Sequence, residues 1–169
     1  MTTLLPKGEF AALLRRMADS GHYARPRHCV LVVRIDDVAG SKRSSGGGAG
    51  EEALATLARV LLRSPSGTAM PLLQPSDIVG RHGEGQLAVL LGPDVDHESA
   101  TVVAEQILDG LVGGGGQGDG PQLGLSIGIA LLPIHAPTAE GLLFAAERAA
   151  NLARRNGGQR VQVAEPVRP

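Results

Sequence analysis

Two continuous runs of apolar residues, CVLVVRI at 29–35 and LGLSIGIAL at 123–131, constrain the fold of this chain more than any other feature. Both runs are too short to span a membrane as helices, and neither alternates between apolar and polar residues. A strand that is apolar on both faces is typical of the centre of a sheet that is covered on both sides. We therefore predict two central strands, Cys29–Ile35 and Leu123–Leu131.

The rest of the chain supplies helices and shorter strands around these two. Four segments carry apolar residues at helical spacing, and their ends carry N-capping, charged or glycine residues. The predicted helices are Glu9–Ser20, Glu51–Arg63, Ser99–Leu111 and Thr138–Asn156. The glycines of GEG predict a hairpin between Asp77–His82 and Gln86–Leu91, and Met70–Leu73 and Arg160–Val163 are predicted as short strands. This order predicts an α/β or α+β sandwich with a mostly antiparallel sheet.

Composition excludes several partners. The 169 residues suffice for one domain, and 16 basic against 17 acidic residues leave a net charge of −1. Such a balance does not attract nucleic acid or an anionic membrane, and three aromatic residues make no stacking platform. The single cysteine, Cys29, fits a buried small hydrophobe in a reducing compartment. With no long apolar run and no signal peptide, we expect a cytoplasmic protein without membrane insertion.

Three patterns that are typical of catalytic or binding sites do not meet the requirements of those sites here. GLSIG at 124–128 resembles the motif of serine hydrolases, but a strand continues after Ser126 where a helix is required. GGGAG at 46–50 lacks the Lys-Ser/Thr ending of a phosphate loop. The five histidines have neither helical pairing nor cysteine partners at ligand spacing, so no structural zinc site is predicted.

Asp36 and Asp37 directly follow the first predicted central strand. Acids at the end of a strand can hold Mg²⁺ against a phosphate. They can equally cap the helix that follows. The spacing alone leaves both interpretations open.

Four segments, taken together, resemble the GGDEF domain of diguanylate cyclases. They are VVRIDDVAGSK…GEEALATLARVLL, SDIVGRHGEGQLAVLL, LSIGIALLP and TAEGLLFAAERAANLARRNGGQRV. The resemblance covers about residues 28–163, with residues 1–27 as an N-terminal helix and lead-in and residues 164–169 as a tail or linker. It implies a central five-stranded, mostly antiparallel sheet flanked by helices, related to nucleotide cyclase palm domains, with the signature on a β-hairpin. It also implies that two facing domains join two GTP molecules into cyclic di-GMP with the help of Mg²⁺.

The metal-binding acids of the family have no match here. The first falls on Arg34 of Arg34-Ile35-Asp36, where Asp36 corresponds only to a second, non-equivalent acid. The signature falls on Gly83, Glu84, Gly85, Gln86 and Leu87. Gly85 therefore stands where the second metal carboxylate belongs, and Gln86 replaces the next acid. The resemblance, carried over residue by residue, implies that Mg²⁺ binding and catalysis are lost.

Other functional positions of the family are kept only in part. The guanine-reading Asp falls on Glu51 and the phosphate-binding Lys on Arg154, which are both similar, whereas a phosphate-binding Arg falls on Gly158. The inhibition site of the family, R-x-x-D, falls on Gln74 to Asp77. Asp77 is kept, but Gln74 cannot clasp a phosphate as an arginine does. The resemblance thus implies a remnant inhibition site.

We interpret the chain as a catalytically inactive GGDEF domain that serves as a regulatory or protein-interaction module in bacterial cyclic di-GMP signalling. Its partner would be another protein, a fused signalling domain or a second copy. An alternative is a metal-independent sensor of GTP or another nucleotide, with Arg34 contacting a phosphate directly. The candidate nucleotide-binding residues are then Arg34, Ile35, Asp36, Glu51 and Arg154.

Two competing explanations remain for these residues. Arg34 could simply point to solvent or form a surface ion pair with Asp36 or Glu84. An active cyclase would instead need Asp36, Asp37 or Glu84 to rebuild a metal site, against the strict geometry that Mg²⁺ demands.

Overall fold

The structure, a computed structural model, describes residues 4–20, 28–38, 54–55, 57–58, 61, 77–83, 85–92, 95–108, 123–132 and 138–165. Its strands are Leu4–Leu5 (β1), His28–Val38 (β2), Ile78–Arg81 (β3), Gln86–Leu91 (β4), Leu123–Leu132 (β5) and Arg160–Val163 (β6). Its helices are Lys7–Ser20 (α1), His97–Leu108 (α2) and Ala139–Arg155 (α3). Within the predicted helix Glu51–Arg63, the described residues Leu54, Ala55, Leu57, Ala58 and Leu61 are helical.

The strands form one six-stranded sheet in the order β1-β3-β4-β2-β5-β6. As predicted, β2 and β5 are central, and β2 pairs antiparallel with both β4 and β5. The β3–β4 pair is also antiparallel, whereas the edge strands β1 and β6 pair parallel to their neighbours. This arrangement confirms the predicted fold class.

Each face of the sheet is covered by helices. The α2 face takes the odd-numbered side chains of β2, such as Leu31 and Val33, together with Ile107 of α2 and Leu57. The α3 face, as we call the other side, takes Val30 and Val32 together with side chains from α1 and α3. Because both faces are buried, the apolar runs had no need to alternate. Cys29 is fully buried, and burial raises the pKa of its thiol to about 12.

Helix α3 lies unusually close to β5, and a glycine makes this contact feasible. A Cβ on Gly128 would come within 2.0 Å of the backbone oxygen of Ala146 and 2.4 Å of the backbone nitrogen of Ala150. The helix begins where predicted, since the Thr138 hydroxyl caps it by accepting a hydrogen bond from the Gly141 N–H at 3.0 Å. Gly128, the second glycine of GLSIG, therefore has a packing role.

Two expectations need correction. The sheet has six strands because Leu4–Leu5 adds a two-residue edge strand, which is too short to leave a pattern in the sequence. Asp36 and Asp37 do not follow the strand but lie inside β2. Pairing with β5 continues to Val38 through a register shift between Ile35 and Asp37, after the apolar pattern has ended. Met70–Leu73 lies outside the described residues.

Within the described part of the chain, no helix is both long and apolar enough to cross a membrane.

Candidate functional site

The hairpin that carries GEGQL is held by backbone hydrogen bonds. The N–H of His82 donates to the oxygen of Gln86 at 3.0 Å, and the N–H of Gln86 donates to the oxygen of Gly83 at 3.3 Å. Gly83 and Gly85 have φ angles of 89° and 68°, which glycine adopts without steric cost. The N–H of Ile35 donates to the oxygen of Gly85 at 3.0 Å. This last bond places the hairpin turn beside Ile35 of β2.

Asp36 is the central carboxylate of the site, and its side chain is only 10% exposed. Its Oδ1 lies 3.8 Å from Nε of Arg34 and 4.0 Å from Nε of Arg154. The hydroxyl of the fully buried Ser126 donates to its Oδ2. Gly158 closes the cluster, since a Cβ there would lie 3.0 Å from the same Oδ2. The carboxylate of Asp36 is therefore in contact with two guanidinium groups and one hydroxyl group of the chain itself.

The Arg34 guanidinium joins the sheet to α3. Its Nη1 donates a hydrogen bond to Oδ1 of Asn151. Arg34 and Asn151, together with Arg154 and Arg155, line a shallow surface cavity of about 390 Å³. Three guanidinium groups around one cavity make it suited to an anion, because arginine binds phosphate and carboxylate through paired N–H donors.

The strand register and the helix period explain why these residues meet. Arg34 is the cross-strand partner of Gln86 on one side and of Ser126 on the other, so all three side chains lie on the α3 face. Asn151 and Arg154 are three residues apart on α3 and project from the same side of that helix. Asp36 is two residues after Arg34 in β2 and so lies on the same side of the strand, where its carboxylate accepts the Ser126 hydroxyl.

The described residues do not fit the Mg²⁺ that the family implies. They contain no group of three His, Cys, Asp or Glu side chains placed to hold a metal ion. Where carboxylates are expected, Arg34 supplies a cation and Gly85 supplies no side chain. Gln86 is buried, and its Oε1 accepts no hydrogen bond from any described residue. An amide and a guanidinium do not replace the hard anionic ligands that Mg²⁺ prefers.

The other predicted residues fall in different places. The Ile35 side chain packs with the core on the α2 face, opposite Arg34, and Leu87 is fully buried in that core. Asp77, predicted to belong to a remnant inhibition site, is 5% exposed. Its Oδ1 accepts the N–H of Gly92 at 2.7 Å and so tethers the two ends of the hairpin. Glu51, Gln74 and Glu84 lie outside the described residues.

His82 links the hairpin to α3. Its Nε2 lies 3.7 Å from Oε2 of Glu147, and its side chain is 13% exposed. Burial lowers the pKa of His82, against the opposing effect of the Glu147 carboxylate. The histidine therefore favours its neutral form more than an exposed histidine does.

The sequence missed three residues of the site: Ser126, Asn151 and Arg155. Ser126 was assigned only to the strand. Asn151 did carry a signal, because it is a polar residue among the alanines of α3, four residues after Glu147 and three before Arg154.

Residues 1–160 match the family described as diguanylate cyclase, GGDEF domain. The chain therefore belongs to the GGDEF domain family, and the match confirms the resemblance that the sequence motifs indicated.

The similar proteins include one named as a probable diguanylate cyclase and one named as a diguanylate cyclase. The chain is 27% identical over 168 residues to a protein named probable diguanylate cyclase DgcE of Escherichia coli (strain K12), covering 98% of this chain and 14% of DgcE. It is 29% identical over 167 residues to diguanylate cyclase TpbB of Pseudomonas aeruginosa, covering 98% of this chain and 37% of TpbB. The chain thus spans well under half the length of either relative, in which the matching part is joined to further chain.

The fold is also that of a solved structure. The crystal structure of the GGDEF domain of Pseudomonas aeruginosa TpbB is 28% identical to this chain, with a TM-score of 0.78. The match covers 99% of this chain and 100% of the crystallised one.

Proposed function

We propose that this chain is a GGDEF domain without cyclase activity that serves as a cytoplasmic regulatory or protein-interaction module in cyclic di-GMP signalling. One observation carries the proposal. The Arg34 guanidinium stands where the family has a metal ligand, and it lies 3.8 Å from the remaining carboxylate, that of Asp36. That carboxylate is already compensated by cations of the chain.

The electrostatic effect of Arg34 is large. Two unit charges about 4 Å apart interact by roughly 4 kcal/mol at an effective dielectric constant near 20. Replacing a carboxylate by a guanidinium changes this attraction for a cation into a repulsion. Mg²⁺ is therefore expected neither to bind at the end of β2 nor to bridge the phosphates of GTP there.

Incubation of the purified chain with GTP and Mg²⁺, followed by chromatography of the nucleotides, tests the loss of activity. We expect no cyclic di-GMP, with the GGDEF domain of TpbB as the reference sample. Formation of cyclic di-GMP by this chain at a comparable rate would identify an active cyclase and refute the proposal.

A double variant, Arg34→Asp with Gly85→Asp, tests the physical cause. Nothing lies within 4 Å of a Cβ placed on Gly85, and aspartate tolerates its left-handed φ better than most residues do. We expect the double variant to gain Mg²⁺ binding, measured by calorimetry, that the natural chain lacks. Arg16→Asp, an exposed change of the same charge on α1, is the control and should gain none.

A second candidate function is a metal-independent sensor of GTP or a related nucleotide. The cavity lined by Arg34, Asn151, Arg154 and Arg155 favours it, because guanidinium groups can hold a phosphate without a metal ion. In this case the Arg34 cation supplies part of the positive charge that Mg²⁺ supplies in the cyclases.

Calorimetric titration with GTP, in EDTA and then in Mg²⁺, separates the two candidates. The sensor predicts binding in EDTA that Arg34→Asp abolishes and that Arg16→Asp preserves. Absence of heat in both buffers would leave the interaction module. Binding only in Mg²⁺ would show that the metal site is intact after all.

A further inference from the structure

Helix α3 carries a row of exposed side chains that we call the basic stripe: Phe144, Arg148, Leu152 and Arg155. Phe144 and Leu152 are 59% and 39% exposed, and both arginines are exposed. At 100° per residue these four positions fall within an arc of about 80° on one side of the helix. The Arg148 guanidinium lies 5.8 Å from the centre of the Phe144 ring. The stripe combines apolar area with two positive charges.

Helix α2 carries a matching acidic stripe: Glu98, Val102 and Glu105. Val102 is 54% exposed, and both glutamates are exposed. These three positions fall within an arc of about 60°. Val102, Phe144 and Leu152 are the exposed large hydrophobic residues of the described chain, so all such residues belong to one stripe or the other.

The two stripes match in spacing as well as in charge. Arg148, Leu152 and Arg155 stand at positions i, i+4 and i+7, and Glu98, Val102 and Glu105 have the same spacing. At 1.5 Å per residue, the outer charges of each stripe lie about 10.5 Å apart along the helix axis. When the helices lie side by side, each arginine can meet a glutamate while the central apolar residues meet each other. The spacing therefore points to a partner for each stripe within the same sequence.

One molecule cannot form this contact with itself, because α2 packs on the α2 face of the sheet and α3 packs on the other. We propose that the basic stripe of one copy docks on the acidic stripe of a second copy. The two copies use different surfaces, so the contact is head-to-tail and leaves one stripe of each kind free for further copies. This inference goes beyond the proposed function and requires neither nucleotide nor catalytic activity.

Sedimentation velocity of the whole chain, without nucleotide, tests the proposal. We expect dimers and longer assemblies that grow with protein concentration at about 0.05 M NaCl and dissociate at about 0.5 M, because charge pairing is screened by salt. A monomer at every concentration up to the order of 1 mM would refute the proposal.

Two charge reversals, one in each stripe, make the test specific. Arg148→Glu and Glu105→Arg should each raise the apparent dissociation constant about tenfold or more. Mixed in equal amounts, they should assemble again, because the intact acidic stripe of the first variant can meet the intact basic stripe of the second. Arg16→Glu on α1 is the control and should assemble like the natural chain.

Other patterns would overturn the head-to-tail contact. If Arg148→Glu abolished assembly and Glu105→Arg did not, α3 of one copy would pair with α3 of another in a symmetric dimer. If neither variant changed assembly, another surface would be responsible. Both changes are on exposed side chains, so we expect both variants to fold. Thermal unfolding of each variant verifies this.

Discussion

At the scale of single residues, the surroundings of Asp36 show which parts of the site could be predicted from the sequence. The resemblance could predict that Arg34 and Gly85 stand where the family has acids, because residue type and order suffice for such a prediction. The residues that contact Asp36 could not be predicted from the sequence. Its contact with Ser126 depends on the pairing of β2 with β5, and the Arg34–Asn151 bond depends on the packing of α3 against the sheet.

Asp77 gives a prediction at the same scale. Its carboxylate accepts the Gly92 N–H at 2.7 Å in a buried setting, so we expect Asp77→Ala to lower the free energy of unfolding by about 1–3 kcal/mol. Asp77→Asn keeps an acceptor oxygen and should recover a large part of that loss. Urea unfolding measures both. Equal stability of the alanine variant and the natural chain would contradict this structural role.

At the scale of elements, apolar pattern and turn chemistry were sufficient for the helices, the hairpin and the central strands. The apolar pattern missed two features of the sheet, a very short edge strand and the true end of β2. Leu4–Leu5 is too short to show a period. β2 continues for three residues beyond Ile35, through two aspartates to Val38, because backbone pairing with β5 does not require apolar side chains. Strand ends and short edge strands depend on neighbours that are distant in sequence.

The hairpin gives a prediction about pH. Because burial holds the pKa of His82 below the value of about 6.5 for an unfolded chain, the unfolded state binds more protons as pH falls through that value. The free energy of unfolding should therefore decrease below about pH 6.5, by at most about 1.4 kcal/mol per pH unit from this group. Urea unfolding between about pH 5 and pH 7.5 measures the slope.

His82→Gln should flatten this slope, because the variant side chain does not titrate. His97, which is exposed at the start of α2, provides the matched control, and His97→Gln should keep the slope of the natural chain. An unchanged slope in His82→Gln would assign the pH dependence to other groups.

At the scale of the whole molecule, the N-terminal segment belongs to the same core as the rest. Phe10 of α1 is 2% exposed, and its side chain lies directly on Gly80, where a Cβ would come within 2.5 Å of it. Leu14 of the same helix is fully buried. The division of the chain at residue 27 remains a prediction, but α1 and β1 pack on the sheet that follows.

The two phenylalanines test this with one substitution at two sites. We expect Phe10→Ala to lower the free energy of unfolding by about 3–5 kcal/mol, because it leaves a cavity between α1 and the sheet. Phe144→Ala, at a side chain that is 59% exposed, should change it by less than about 0.5 kcal/mol. Chemical unfolding of both variants at low protein concentration measures the difference, and similar losses at the two sites would contradict the packing of α1.

The positions of the edge strands have a mechanical consequence. β1 and β6 lie at opposite edges of the sheet, five inter-strand spacings or about 24 Å apart. Tension applied between these two strands would pull across the sheet, and the two-residue pairing of β1 with β3 would separate first, one hydrogen bond after another. The long antiparallel pairing of β2 with β4 and β5 would still hold. The domain would thus yield to force in stages, and its first stage would loosen the anchorage of α1.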